Sequence, residues 1–99
     1  MGPVLVVQPA KTFEEALALC NGVRQGLIAA LFAKAPLLQT EFLKTARAGI
    51  LKLNSSTAGV DVTLPFGGWK ASGIGPPEHG EGDPQFFLRS QAAYGDFPE

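Results

Sequence analysis

A single cysteine, a single histidine and a small group of carboxylates are the residues whose chemistry could reach beyond packing. A nucleophilic thiol needs its pKa lowered by a helix N-terminus or a nearby cation. Cys20 instead falls late on the apolar stripe of a helical segment, with no histidine near it in sequence, and reads as a core thiol. His79 stands alone, and one imidazole without a second nearby ligand makes no metal site. Its expected place is the surface. Glu78, Glu81 and Asp83 flank it and read as a solvated turn rather than an acid/base pair. No set of nucleophile, base and oxyanion donor assembles from these residues.

The glycines raise a different chemistry. In "PFGGWKASGIGPPEHG", residues 65–80, Gly67, Gly68, Gly73, Gly75 and Gly80 surround the only tryptophan and the only histidine. Gly68 and Gly73 have the gap of a phosphate-binding P-loop. However, Ile74-Gly75 follow where Lys and Ser or Thr must reach the phosphates and magnesium. A dinucleotide fingerprint lacks its third glycine, because residue 78 is Glu, and the stretch does not join a first strand to its helix. A structural use fits better. Glycine allows close backbone approach, and proline rigidifies the exits, so the loop can line a cavity with few side chains. Trp69 is expected as its packing anchor in the core.

The elements that must hold this loop are legible upstream. Residues 3–8, "PVLVVQ", are apolar on both alternate faces and read as a buried strand. Thr12 and Glu15 form a capping box ahead of Phe13, Ala16, Leu17 and Cys20, which share one helical face. Asn21-Gly22 closes that helix. Residues 26–33, "GLIAALFA", are a second buried strand, with short length and flanking breakers outweighing helix propensity. Pro36 sits at the first turn of a second helix, where its missing N–H costs nothing, and Gly49 ends that helix. Residues 50–54 are a third strand.

The order strand, helix, strand, helix, strand predicts an α/β fold: a βαβαβ unit with a small parallel sheet. A long Gly/Pro-rich loop follows, uncommon in a compact domain unless it is functional or covered. A helical turn around residues 81–86 and a C-terminal strand over residues 86–94 complete the reading. The chain divides accordingly into a core over residues 1–54, a loop region over 55–84 and a terminal arm over 85–99.

With 99 residues, one domain is expected. Only 17% of residues are charged, low for a free-standing domain, so part of the surface is expected to be covered by something else. The net charge is −1 and basic residues form no run, which argues against nucleic acid as a partner. No apolar run is long enough to span a bilayer, and the start lacks a signal-type segment. One cysteine rules out an internal disulfide and fits a reducing compartment. A cytoplasmic location is therefore expected.

The stretch "AGILKLNSSTAGVDVTLPFGGWKASGIG" resembles the closing part of the aldehyde dehydrogenase superfamily. Ala48-Gly49 and Asn54 match an Ala-Gly-x-x-x-x-Asn strand. Pro65, Phe66, Gly67, Gly68, Lys70, Ser72, Gly73 and Gly75 match Pro-Phe-Gly-Gly-x-Lys-x-Ser-Gly-x-Gly. Upstream, Asn21 with Gly26-Leu27-x-Ala29, and Gly2-Pro3-Val4 at the start, are similar to two further motifs of the same family in the same order.

The resemblance implies a partial catalytic domain of an enzyme several times longer. Such enzymes oxidise aldehydes with NAD or NADP through a cysteine thiohemiacetal, hydride transfer and thioester hydrolysis. The nucleophile, the general-base glutamate and the cofactor domain would lie upstream. This chain would then bind no cofactor by itself and be inactive alone. Phe66 maps to an aromatic at the inner end of the substrate tunnel. The loop over residues 55–64, with Gly59, Val60 and Asp61, maps to the tunnel mouth. The last strand maps to an arm that pairs with a neighbouring subunit, implying a homo-oligomer.

"STAGVD" is similar to members that accept semialdehydes with a distal carboxylate, yet no Arg or Lys lies between Ser55 and Gly68 to pair with that group. Two other readings stand beside the main one. The first is a non-catalytic module that pairs with a partner through its C-terminal strand. The second is a small nucleotide binder.

Overall fold

The computed structural model describes residues 2–96. The first helix, α1 (Phe13–Asn21), begins where the capping box places it. Thr12 Oγ1 accepts from the Glu15 N–H at 3.1 Å. The Glu15 carboxylate reaches back to the Lys11 N–H at 2.8 Å, one residue ahead of the cap's own. Gly22 closes the helix in right-handed geometry, its N–H donating to the Ala18 and Leu19 carbonyls.

The second apolar run divides at Leu27 into β1 (Gln25–Gly26) and β2 (Ile28–Leu31). Helix α2 (Pro36–Thr45) follows, with Pro36 in its first turn and Phe42 buried. It ends at Ala46, whose N–H donates to the Phe42 carbonyl at 2.9 Å. Gly49 is therefore not its stop, and lies in the link to β3 (Ile50–Leu53). β2 and β3 pair in parallel, Ile28 opposite Ile50 and Leu31 opposite Leu53, with α2 as the crossover. This is the expected βαβ arrangement for two of the three early strands.

The third is missing. Residues 3–8 belong to no strand, and Val4 is 84% exposed. A strand that is apolar on both faces needs a neighbour to bury it, and the described residues offer none.

β4 (Trp69–Lys70) returns to pair antiparallel with β1, Gly26 opposite Trp69. This short ladder brings the glycine-rich stretch back against the start of the sheet. A 3₁₀ turn (Gly80–Gly82) then leads into α3 (Asp83–Phe87), the helical turn that the sequence predicts. The C-terminal strand does not form. Phe86 and Phe87 end α3 with their rings 4.8 Å apart, edge to face, and residues 88–96 join no ladder. Leu88 starts that segment with extended backbone, but a strand exists only when another chain segment accepts its hydrogen bonds.

The core is small. Ala29, Phe42, Ala46 and Ala48 are buried, with Phe13, Leu17, Leu31, Leu51 and Leu53 packed against them. Three of those four buried residues are alanines, so little apolar area leaves water. The radius of gyration is 18.8 Å, against about 13 Å for a compact domain of this length. Large apolar side chains stay outside, Phe32, Leu37 and Phe87 among them. The low charge density thus corresponds to apolar surface without cover among the described residues.

Candidate functional site

β3 aims the chain into the loop over residues 55–64, and Asn54 sets the exit. Its backbone takes the left-handed region (φ 49°), which Asn tolerates better than most residues. Its side chain locks onto the β2 end. Oδ1 accepts from the Ala33 N–H at 2.9 Å, and Nδ2 donates to the Ala33 carbonyl at 3.0 Å. From β3 itself, Lys52 Nζ donates to the Ala58 carbonyl at 2.8 Å and the Gly59 carbonyl at 2.5 Å. Gly59 needs its glycine identity for the turn (φ 76°).

Asp61 Oδ1 accepts from both the Thr63 hydroxyl (2.7 Å) and the Thr63 N–H (2.9 Å). Those two bonds, the hydroxyl first, hold the Asp61 carboxyl below the ordinary aspartate range. The Gly80 N–H ties the loop's far side to the Val62 carbonyl at 3.2 Å.

Phe66 closes the loop. Its N–H donates to the Glu78 carbonyl at 2.6 Å, and the Glu78 N–H returns a bond to the Phe66 carbonyl at 2.8 Å. The Phe66 ring lies 5.6 Å from the His79 ring. The result is an open groove of about 780 Å³ between β3 and the loop. Phe66, Gly59, Val60 and Asp61, the residues expected at a substrate tunnel, all line it. So does Lys52, which loop composition missed because its long side chain enters from the strand.

The motif residues that look polar enough for catalysis act here as fasteners. Asn21 Nδ2 donates to the Thr45 carbonyl, and its Oδ1 accepts from the Arg47 N–H at 2.7 Å, joining α1 to the end of α2. Lys70 Nζ donates to the Asn21 and Val23 carbonyls, both at 3.0 Å. Ser72 Oγ accepts from the Gly26 N–H at 2.9 Å. The glycine-rich backbone between them is folded tightly enough that a Cβ on Gly68 would collide with Ser72, and one on Gly73 with the Gly68 carbonyl.

Four expectations need correction. Cys20 is exposed, because the apolar face of α1 carries no buried residue; it lines a separate groove with Val6 and Leu19. Trp69 is 55% exposed, since β4 is a two-residue edge and nothing among the described residues covers the ring. His79 is half-buried rather than a surface residue, and its Nδ1 is buried without a partner among the described residues. The His79 N–H donates to the Asp83 carboxylate at 2.7 Å, so Asp83 is engaged rather than merely solvated. Among the described residues, no group of His, Cys, Asp and Glu has the makings of a metal site. No helix among them is long and apolar enough to cross a membrane.

The family model described as "Aldehyde dehydrogenase family" matches residues 1–93. The chain is 38% identical to the 2,5-dioxopentanoate dehydrogenase of Saccharolobus solfataricus over 94% of its own length and 20% of that protein. It is 36% identical to the alpha-ketoglutaric semialdehyde dehydrogenase of Bacillus subtilis, again over 94% of its length and 19% of the relative. Among solved structures, a betaine aldehyde dehydrogenase variant from Staphylococcus aureus, in complex with NAD+, superposes with a TM-score of 0.83 at 30% identity. The superposition covers 91% of this chain and 18% of that one. The chain thus spans about a fifth of the length of the curated relatives it matches. On the motif order, the fold and these matches together, the chain belongs to the aldehyde dehydrogenase family.

Proposed function

We propose that this chain is the C-terminal part of an NAD(P)-dependent aldehyde dehydrogenase catalytic domain and supplies one wall of its substrate tunnel. The observation that carries the reading is the convergence of Phe66, Gly59, Val60 and Asp61 on one groove. In this role Phe66 presents a rigid aromatic surface to the reacting aldehyde, and residues 59–61 shape the entrance. Backbone pairing to Glu78 and the fasteners at Asn54, Lys70 and Ser72 fix that surface, as orientation of a reactive carbonyl requires.

Hydride acceptance would come from the nicotinamide cofactor bound elsewhere in the enzyme. The described residues do not fit a dinucleotide pyrophosphate. The glycine-rich stretch runs from β4 into the Phe66–Glu78 bridge rather than into a helix N-terminus. The chain alone would therefore be inactive and bind neither NAD nor NADP, and it would work in the cytoplasm.

Residues 88–96 would form the arm that pairs with a second subunit. Extended backbone at Leu88 and the exposed Leu88 and Tyr94 side chains support this role. The same features suit the second reading, an interaction module with no catalytic role.

A chimaera separates the two. Residues 1–93 would replace the matching segment of the Saccharolobus solfataricus 2,5-dioxopentanoate dehydrogenase. Formation of NAD(P)H on addition of aldehyde, absent with the 99-residue chain alone, supports the enzyme reading. A folded, cofactor-binding chimaera without turnover contradicts it.

A further inference from the structure

We propose that His79 is a positioning residue for Phe66: its imidazole backs the Phe66 ring and holds it in one orientation. The inference rests on the tunnel-wall reading above and names the group that fixes the aromatic surface of that wall.

The backbone alone leaves that ring free to turn. The paired bonds with Glu78 fix the Phe66 main chain, but they set no χ angle. Phe66 lines two cavities at once, the groove of about 780 Å³ and a smaller one of about 170 Å³ shared with Leu27, Ile74 and Phe86. A side chain with open space on two sides has more than one staggered position available. Among the described residues, the aromatic partner of Phe66 is His79, with 5.6 Å between ring centroids and 39° between planes. That separation is within the range of favourable ring contacts.

His79 carries a side chain where glycine would be free of strain. Its φ of 68° and ψ of 159° lie in a region that other residues enter only when their surroundings hold them there. Three successive N–H groups do the holding. Glu78 donates to the Phe66 carbonyl at 2.8 Å, His79 to the Asp83 carboxylate at 2.7 Å, and Gly80 to the Val62 carbonyl at 3.2 Å. Each donor is main chain, so none of these bonds needs an imidazole at residue 79. The next residue meets a similar demand with glycine: Gly80 has φ 54°, and a Cβ there would collide with the Thr63 carbonyl. What offsets the strain at His79 is the contact with Phe66. The His79 Nδ1 is buried with no partner among the described residues, so the ring serves through its surface rather than through a hydrogen bond at that nitrogen.

The test reads the Phe66 side chain in the 99-residue chain itself. Three-bond NMR couplings from the Phe66 Cγ to its backbone nitrogen and carbonyl carbon report χ1. The wild type is expected to show a single rotamer, with cross-relaxation between the Phe66 and His79 rings. His79→Gly should average the couplings over rotamers while the Phe66 and Glu78 amides keep their exchange protection. His79→Phe should restore the single rotamer. Averaged couplings in the wild type, a single rotamer in His79→Gly, or averaging that persists in a folded His79→Phe overturns the proposal. If His79→Gly opens the Phe66–Glu78 bridge, the wild-type couplings and the ring-to-ring cross-relaxation decide alone. In the chimaera, His79→Gly is expected to lower kcat/KM for the aldehyde by about threefold, through looser positioning. An unchanged kcat/KM beside averaged couplings counts against the tunnel-wall reading and leaves the positioning of Phe66 by His79 standing. An inactive chimaera likewise leaves the NMR result intact.

Discussion

Gly49 and Gly67 meet backbone to backbone: a Cβ built on Gly49 would overlap the Gly67 carbonyl. This contact sets how closely the start of β3 approaches the glycine-rich stretch, and so where Phe66 stands. Gly49→Ala is expected to destabilise the chain by about 1–3 kcal/mol, the usual cost of overpacking, because backbone has little room to yield. Urea unfolding followed by circular dichroism checks this. An unchanged midpoint would mean that the contact is not under tension.

Asn54 and Ala33 exchange two side-chain hydrogen bonds across the ends of β3 and β2. Replacing Asn54 with Gly keeps the left-handed backbone easy but removes both bonds. A loss of about 1–2 kcal/mol is expected, with a larger loss for Asn54→Ala, which also strains the turn. Amide exchange at Ala33 should accelerate in both variants. Equal stability of the Gly and Ala variants would show that the positive φ carries no cost.

His79 sits at φ 68° and ψ 159°, a region that is essentially glycine's own. Both His79→Gly and His79→Ala remove the ring beside Phe66, so their difference isolates the backbone term. The Gly variant should be the more stable by about 1–3 kcal/mol. Paired denaturation curves measure it, and an Ala variant as stable as the Gly variant contradicts it.

Asp61 should titrate below the ordinary aspartate value of 3.8, because the Thr63 hydroxyl and N–H favour its charged form. A depressed folded-state pKa gives loop stability that is present above the unfolded value and lost as pH falls through the folded one. Loosening of the Asp61–Thr63 turn is therefore expected only under more acidic conditions than an unperturbed aspartate requires. An NMR titration of the Asp61 carboxyl and the Thr63 N–H reads both. A midpoint at or above the ordinary value would contradict the two bonds.

Elements specified by local chemistry were legible from residue order. Thr12 and Glu15 mark the start of α1, Pro36 the start of α2, and alternating helices and strands indicate the parallel β2–β3 pair. Features that depend on distant partners were not. Residues 3–8 and 86–94 have strand-like composition, but pairing needs a neighbour that composition does not reveal. Cys20 and Trp69 have the types of core residues, yet burial depends on what lies opposite, and here nothing among the described residues covers them. The groove follows the same division. Phe66 and the loop residues were visible through their motif, while Lys52 was hidden because a strand residue contributes its side chain several residues ahead.

In the proposed role, Phe66 faces the reacting aldehyde on a wall built by this chain. Steady-state kinetics of the chimaera with and without Phe66→Ala test it most directly. A fall in kcat/KM of at least about tenfold, roughly 1.4 kcal/mol of transition-state stabilisation, is expected, with cofactor KM unchanged. Equal kcat/KM in a chimaera whose fold and cofactor binding are intact would contradict it.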